Sequence, residues 1–257
     1  GSGRTPKVLY VDGSKKILEH GVLVMEYLPG HAMDYHTELM LAAPCLADIH
    51  SVPIPESEEI LIHPQNPLKA ILEECEEMFK VYLESPLGDG EKKTYIRELL
   101  DLGWKREAEI QLESGYQCCI NTELNSTNLL LNGEGKSNYL IDWEKPLFGN
   151  PAQDLGHFLA PTTTFWKTDV ILTSEEIEKF IDAYIKAVGN RFKTDMIREH
   201  THAFIPITCL RGITWCAMAW VQYQQPDKLI FNESTLKKLN AYLDMDFLKN
   251  IRGYLEP

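Results

Sequence analysis

Asn121-Thr122-Glu123-Leu124-Asn125-Ser126-Thr127-Asn128-Leu129-Leu130-Leu131, a turn at Asn132-Gly133-Glu134-Gly135, then Tyr139-Leu140-Ile141-Asp142-Trp143-Glu144 is the most telling stretch of this 257-residue chain. Two short apolar runs, over 128–132 and 138–142, flank the turn and predict a β-hairpin. Closing it sets the loop before the first strand beside the residue that follows the second. Glu123, Asn128 and Asp142 then converge, although 19 residues separate the outer two. Phosphoryl transfer from a nucleotide requires such a set: a carboxylate to orient or deprotonate a hydroxyl, and an amide and a carboxylate to hold Mg²⁺. A polar turn with asparagine caps and a tryptophan-flanked Asp142 bonded to backbone fits the same residues. Spacing alone leaves both open.

Outward from the hairpin the pattern is mostly helical. Asn66-Pro67 supplies an N-cap and a first-turn proline, and Leu68, Ile71, Leu72, Cys75, Met78, Phe79 and Tyr82 follow at three- and four-residue steps. Glu73, Glu74, Glu76 and Glu77 fall mainly off that stripe and read as a solvated face. A helix is expected over about Lys92 to Leu112. Another ends at His50, where Leu41, Ala42, Cys45, Leu46 and Ile49 keep helical spacing although Pro44 must start or kink a turn. Thr173 and Glu176 form a capping box for Ile177 to Val188, and Ile207 to Tyr223 reads as a long, Trp-rich apolar helix. Lys7 to Val11 and Gly21 to Leu28 predict two strands, the second ended by Pro29-Gly30. A lone strand pair is marginal in water, so this one must pack on the helices or on strands upstream.

Composition narrows the function classes. The formal charge of −13 argues against a nucleic-acid partner, because neutralising phosphates needs clustered Lys and Arg. Such acidity suits a cationic small-molecule partner or simple solubility. The six cysteines include no Cys-x-x-Cys pair, so they read as free thiols of a cytoplasmic protein and not as a zinc site. No apolar run reaches the ~18 residues of a membrane span and no signal peptide opens the sequence, so no membrane partner is expected.

Three motifs carry a family resemblance. Asn121 to Asn128 with Leu129-Leu130-Leu131 resembles a catalytic loop of the form His-Gly-Asp-Leu-His-x-x-Asn plus three apolar residues. Ile141-Asp142-Trp143-Glu144 matches a metal motif, and Gly149-Asn150-Pro151-Ala152-Gln153-Asp154-Leu155 is similar to Gly-Asp-Pro-x-x-Asp-Leu. Val24 to Gly30 is similar to an interlobe hinge, Leu46 to His50 to the first large-lobe helix, and Leu210-Arg211-Gly212-Ile213 with Trp215 to a late helix on the substrate side. Together, from about Pro6 to Tyr223, the chain resembles the aminoglycoside phosphotransferase family of small-molecule kinases.

The resemblance implies an α+β, protein-kinase-like fold. Residues 31–257 would form a mostly helical large lobe, and residues 1–30 the hinge and a remnant of a truncated small lobe. It implies ATP held by the Glu26 carbonyl and the Leu28 backbone over a floor of Leu130 and Ile141. Mg²⁺ would sit on Asn128 and Asp142, and Glu123 takes the catalytic-base position. Asp154 would brace the loop through backbone N–H groups. His50 and His157 are expected in helix packing. Trp166, Trp215 and Trp220 are expected in the core or against the acceptor, where Glu and Asp residues would receive an amino-bearing substrate.

The chain departs from the family at two places. Glu123 stands where the family has Asp, which sets its carboxylate about 1 Å further forward, and Asn121 replaces a supporting histidine. Nothing before Pro6 supplies the glycine-rich phosphate loop, its lysine or the helix glutamate paired with that lysine, so further small-lobe residues are expected upstream in the full protein. Two functions follow: an ATP-dependent phosphotransferase acting on a hydroxyl of an aminoglycoside- or choline-like small molecule, or a non-catalytic, pseudokinase-like ligand- or partner-binding module. The retained metal pair favours the first.

Overall fold

Caps and apolar stripes set the helices of the computed structural model, which describes residues 1–54, 61–110, 112, 115–225 and 231–256. Helix α1 covers Leu39–His50 and α2 covers Pro67–Glu84. The Asn66 side chain caps α2 by accepting from Lys69 N at 3.0 Å, and the predicted stripe buries Leu68, Leu72, Cys75, Phe79 and Tyr82. Helix α3, Gly90–Glu109, is capped by Asp89 and packs on α2. There follow α4 (Pro151–Leu159), α5 (Pro161–Thr168), α6 (Ser174–Val188), α7 (Ile197–Tyr223), α8 (Glu233–Tyr242) and α9 (Met245–Leu255). The capping box on α6 is present in both directions.

Three expectations need correction. Of the two roles expected of Pro44, starting a turn is not the one it has: α1 begins at Leu39 and runs through it. One backbone bond is forfeited there, and burial of Leu39, Ala42, Ala43, Cys45, Leu46 and Ile49 outweighs it. The α2 glutamates are not a purely solvated face. Glu76 takes Arg97 in a two-pronged pair at 2.6 and 2.7 Å and also accepts from Trp104 Nε1, while Glu74 pairs with Arg211. Finally, α7 begins ten residues earlier than Ile207 and has the length and mean hydropathy (1.4) of a membrane span, but 72% of its apolar window is buried inside the protein. It is the axis of the core, touching α2, α3, α4, α5, α8 and α9.

Close approach to α7 requires small residues. A Cβ on Gly156 of α4 would overlap Phe204 Cβ and come within 3.2 Å of the Ile205 backbone nitrogen, so only glycine lets α4 lie this near.

Strands are short. β1 (Val8–Asp12) and β2 (Val22–Met25) form an antiparallel ribbon that exposes apolar residues such as Leu9, Val11 and Val24. A three-stranded sheet has the order β3 (His31–Ala32), β5 (Leu129–Leu131), β6 (Tyr139–Leu140), and β4 (Cys118–Ile120) pairs with β7 (Leu147–Gly149). The β5–β6 hairpin is shorter than predicted because asparagines close it. Asn138 accepts from Asn132 N at 2.8 Å, and Asn132 Nδ2 donates to Ser137 O at 2.7 Å. All six thiols are free, and Cys119 alone among them is not buried.

Candidate active site

The hairpin sorts its side chains by alternation. Leu129, Leu131 and Leu140 point into the core and are fully buried. Leu130 pairs directly with Tyr139, and Ile141 lies two residues further on, so Leu130 and Ile141 share the opposite, half-buried face. The hinge lies along that hairpin. Gly30, at φ +140°, sits so close that a Cβ would meet Leu130 at 3.0 Å, and Asn132 Nδ2 donates to Pro29 O at 3.1 Å. Glu26 closes the β1–β2 ribbon, its N–H donating to Lys7 O at 2.9 Å. Among the described residues, neither the Glu26 carbonyl nor the Leu28 N–H has a hydrogen-bond partner.

At the open end of the hairpin the polar residues meet. Ile141 N donates to Asn128 O at 2.9 Å, which sets Asn128 beside the neighbouring Asp142. Asn128 Nδ2 donates to the Glu123 carbonyl at 3.1 Å. Its own Oδ1 then accepts nothing among the described residues. Asp142 is exposed, its carboxylate likewise makes no hydrogen bond among them, and its φ of 64° lies in the left-handed region. A non-glycine residue held there is strained by about 1–3 kcal/mol and recurs at functional sites. Oxygens without hydrogen bonds, on two residues that the hairpin places together, suit a hard divalent cation.

The loop is over-determined by two residues. Asp154, fully buried at the start of α4, accepts from Asn121 N at 2.8 Å, Thr122 N at 2.7 Å and His50 Nε2 at 3.2 Å. His50 Nδ1 then accepts from the Tyr184 hydroxyl at 2.8 Å, so His50 belongs to the packing of α1 against α6. Asn121 ties the loop to the metal motif. Its Nδ2 donates to the Asp142 carbonyl at 2.6 Å and its Oδ1 accepts from Glu123 N at 3.1 Å.

Glu123 is half-buried, and its Oε1 faces two cations, Arg211 Nη2 at 3.6 Å and Lys145 Nζ at 3.8 Å. Arg211, from α7, is anchored by Glu74 of α2, to which its Nε donates at 2.8 Å and its Nη2 at 3.5 Å. Beside Glu123 opens a cavity of about 280 Å³ lined by Asn125, Trp166, Arg211, Trp215 and Tyr242 among others. Trp166 and Trp215 meet edge to face at 5.4 Å. Trp220 lies away from it, bonded to Asn240 at 2.8 Å. His157 also lines the cavity. Burial first, and then the nearby Arg211, push its imidazole down to about 3, so it is neutral near pH 7. Sequence reasoning did not find Arg211, Glu74 or Lys145 as neighbours of Glu123. The available signal was Glu74 standing three residues after Ile71 and four before Met78, at the flank of the apolar stripe.

Residues 2–199 match the phosphotransferase enzyme family. The chain belongs to that family. Its architecture is also that of solved small-molecule kinases. An ethanolamine kinase of Plasmodium vivax is 15% identical over 99% of this chain and 70% of its own, with a TM-score of 0.64. A choline kinase of Streptococcus pneumoniae is 18% identical over 96% and 75%, with 0.56. A spectinomycin phosphotransferase solved with ADP and spectinomycin is 16% identical over 90% and 70%, with 0.57. At such identities the likeness is one of fold, and it bears out the protein-kinase-like α+β class. No curated protein sequence matches the chain.

Proposed function

We propose that this family member transfers the terminal phosphoryl group of ATP to a hydroxyl of a small molecule. One arrangement carries the reading: the bond from Ile141 N to Asn128 O sets Asn128 beside the residue that follows, Asp142, which sits at positive φ, and the Asn128 amide donates to the backbone carbonyl of Glu123. Asn128 and Asp142 would hold Mg²⁺, which supplies charge neutralisation at the phosphates. The Glu26 carbonyl and Leu28 N–H, both without partners, suit the adenine edge. Leu130 and Ile141, on the half-buried face of the hairpin, suit the ring. Residues 1–30 would form the hinge and a remnant of the smaller lobe, and residues 31–257 the larger lobe. Glu123 orients the acceptor hydroxyl and takes its proton as the oxygen bonds phosphorus and the bond to ADP breaks. The cavity beside Glu123 receives the acceptor. A second reading, a non-catalytic ligand-binding cleft, is favoured by one feature: both cations at Glu123 compete for the carboxylate that must take the proton.

Calorimetric titration of Mg²⁺–ATP into the chain, with Asp142→Ala and Asn128→Ala as controls, tests the nucleotide site. Binding is expected for the parent and loss in both controls. Binding that survives Asp142→Ala would sink the metal assignment. In an acceptor screen read by ADP release, Glu123→Gln is expected to lower kcat by roughly 10²–10⁴-fold with little change in nucleotide affinity. Nucleotide binding without turnover of any acceptor would leave the non-catalytic reading.

A further inference from the structure

The charges lining the acceptor cavity do not suit a cation. Among the described residues, its carboxylate is Glu123 and its cation is Arg211, while the His157 beside them is neutral near pH 7. Glu123 already faces Arg211 and Lys145. An ammonium entering here would meet a fixed guanidinium and share a carboxylate with two other positive charges. An anion would meet the reverse. Arg211 is held along one edge by Glu74, which accepts from Nε at 2.8 Å and from Nη2 at 3.5 Å across α2 and α7. Its contact with Glu123 is looser: Nη2 lies 3.6 Å from Oε1, outside hydrogen-bond distance. Nη1 makes no hydrogen bond among the described residues. A guanidinium offers five donors in a planar fork matched to a carboxylate, and here Nη1 and the Nη2 proton that is not given to Glu74 form its open end.

We propose that Arg211 binds a carboxylate of the acceptor, so that the substrates of this site are short hydroxy acids whose hydroxyl reaches Glu123. The inference rests on the phosphotransfer reading for its product and on the cavity alone for its binding. An acceptor carboxylate placed on Nη1 and Nη2 replaces Glu123 as the loose partner of Arg211, while Glu74 keeps the guanidinium aimed. Glu123 Oε1 is then released toward the acceptor hydroxyl. That hydroxyl gives its proton to Glu123, its oxygen forms the new bond to phosphorus, and the phosphorus–oxygen bond to ADP breaks. Hydrogen bonds of ~3 Å to each of two groups standing this close leave room for a spacer of only a few carbons. The Trp166 and Trp215 rings supply an apolar wall for it.

The test uses the full chain and two matched sets of probes: 3-hydroxypropanoate, 3-amino-1-propanol and 1,3-propanediol, and their four-carbon counterparts. Binding is read without nucleotide from tryptophan fluorescence, since Trp166 and Trp215 line the cavity. Turnover is read as phosphorylated product with Mg²⁺–ATP. The hydroxy acids are expected to bind at least about tenfold more tightly than the amino alcohols, and Arg211→Gln to remove at least about tenfold of that affinity, a larger loss than it causes for the diols. Arg211→Lys, which keeps the charge without the fork, should fall between, and circular dichroism establishes that the variants fold. Equal or tighter binding of amino alcohols, no binding of hydroxy acids, or hydroxy-acid binding retained in folded Arg211→Gln would each overturn the proposal. The two readings separate cleanly. Phosphorylated amino alcohol with no bound hydroxy acid leaves phosphotransfer standing and removes this inference. Arg211-dependent hydroxy-acid binding without any product supports the inference and counts against phosphotransfer.

Discussion

Thr122 occupies the position where the resembled catalytic loop carries glycine, and its φ of 69° shows what that glycine is for. A β-branched residue in the left-handed region costs about 1–2 kcal/mol. Here the cost is partly offset by two hydrogen bonds: its N–H to Asp154, and its hydroxyl to the Lys145 carbonyl at 3.0 Å. Thr122→Val keeps the strain and loses the second bond, so it should destabilise the chain by about 1–2 kcal/mol. Thr122→Gly loses the bond but relieves the strain, and is expected to stay within about 1 kcal/mol of the parent. Urea denaturation of the two variants checks this. Equal losses would mean that the left-handed backbone is not what constrains the position.

At the scale of elements, the site depends on how closely α4 and α5 approach α7. Asp154 rides on α4 and Arg211 on α7, so the spacing of these helices sets the loop brace against the acceptor cavity. Gly156→Ala drives a methyl into Phe204 Cβ and the backbone behind it, neither of which can swing aside. It should destabilise by about 1–3 kcal/mol through overpacking. Gly103→Ala meets the ends of the Leu210 and Leu72 side chains, which can change rotamer, and is expected to cost less. Thermal melts of the two proteins rank them, and a Gly103 variant less stable than the Gly156 variant would contradict the helix-contact argument.

For the whole molecule, the neutral His157 links stability to pH. Its native value is about 3, against an ordinary value of 6.5 when unfolded. Above pH 6.5 neither state binds the proton, and the contribution is fully present. Below it the unfolded chain takes up a proton that the native chain refuses until about pH 3, so stability is lost as pH falls through that window. The loss is up to about 1.4 kcal/mol per pH unit. Denaturation midpoints between pH 7 and pH 5 should therefore fall less steeply in His157→Gln than in the parent. Parallel slopes would place the acid sensitivity elsewhere.

Local physics was legible in the chain because it acts over a few residues. The Asn66 cap, the Thr173–Glu176 box, the buried alternation of Leu129 and Leu131, and the hairpin that sets Asn128 beside Asp142 each follow from side chains next to the backbone they serve. The fold class followed from those elements together with the resemblance. What only the tertiary structure decided is which helix face meets which. Glu74 read as solvated and is exposed, but only the fold shows that it also holds Arg211 from 137 residues away. Pro44 read as a residue that starts or kinks a turn, and the buried face of α1 carries the helix through it at the cost of one lost bond. Arg211 comes to Glu123 because α2 and α4 both pack against α7, and Lys145 comes to the same oxygen from the loop after the hairpin. Periodicity marks the face that is buried, but the partner that buries it is chosen by packing across the whole core.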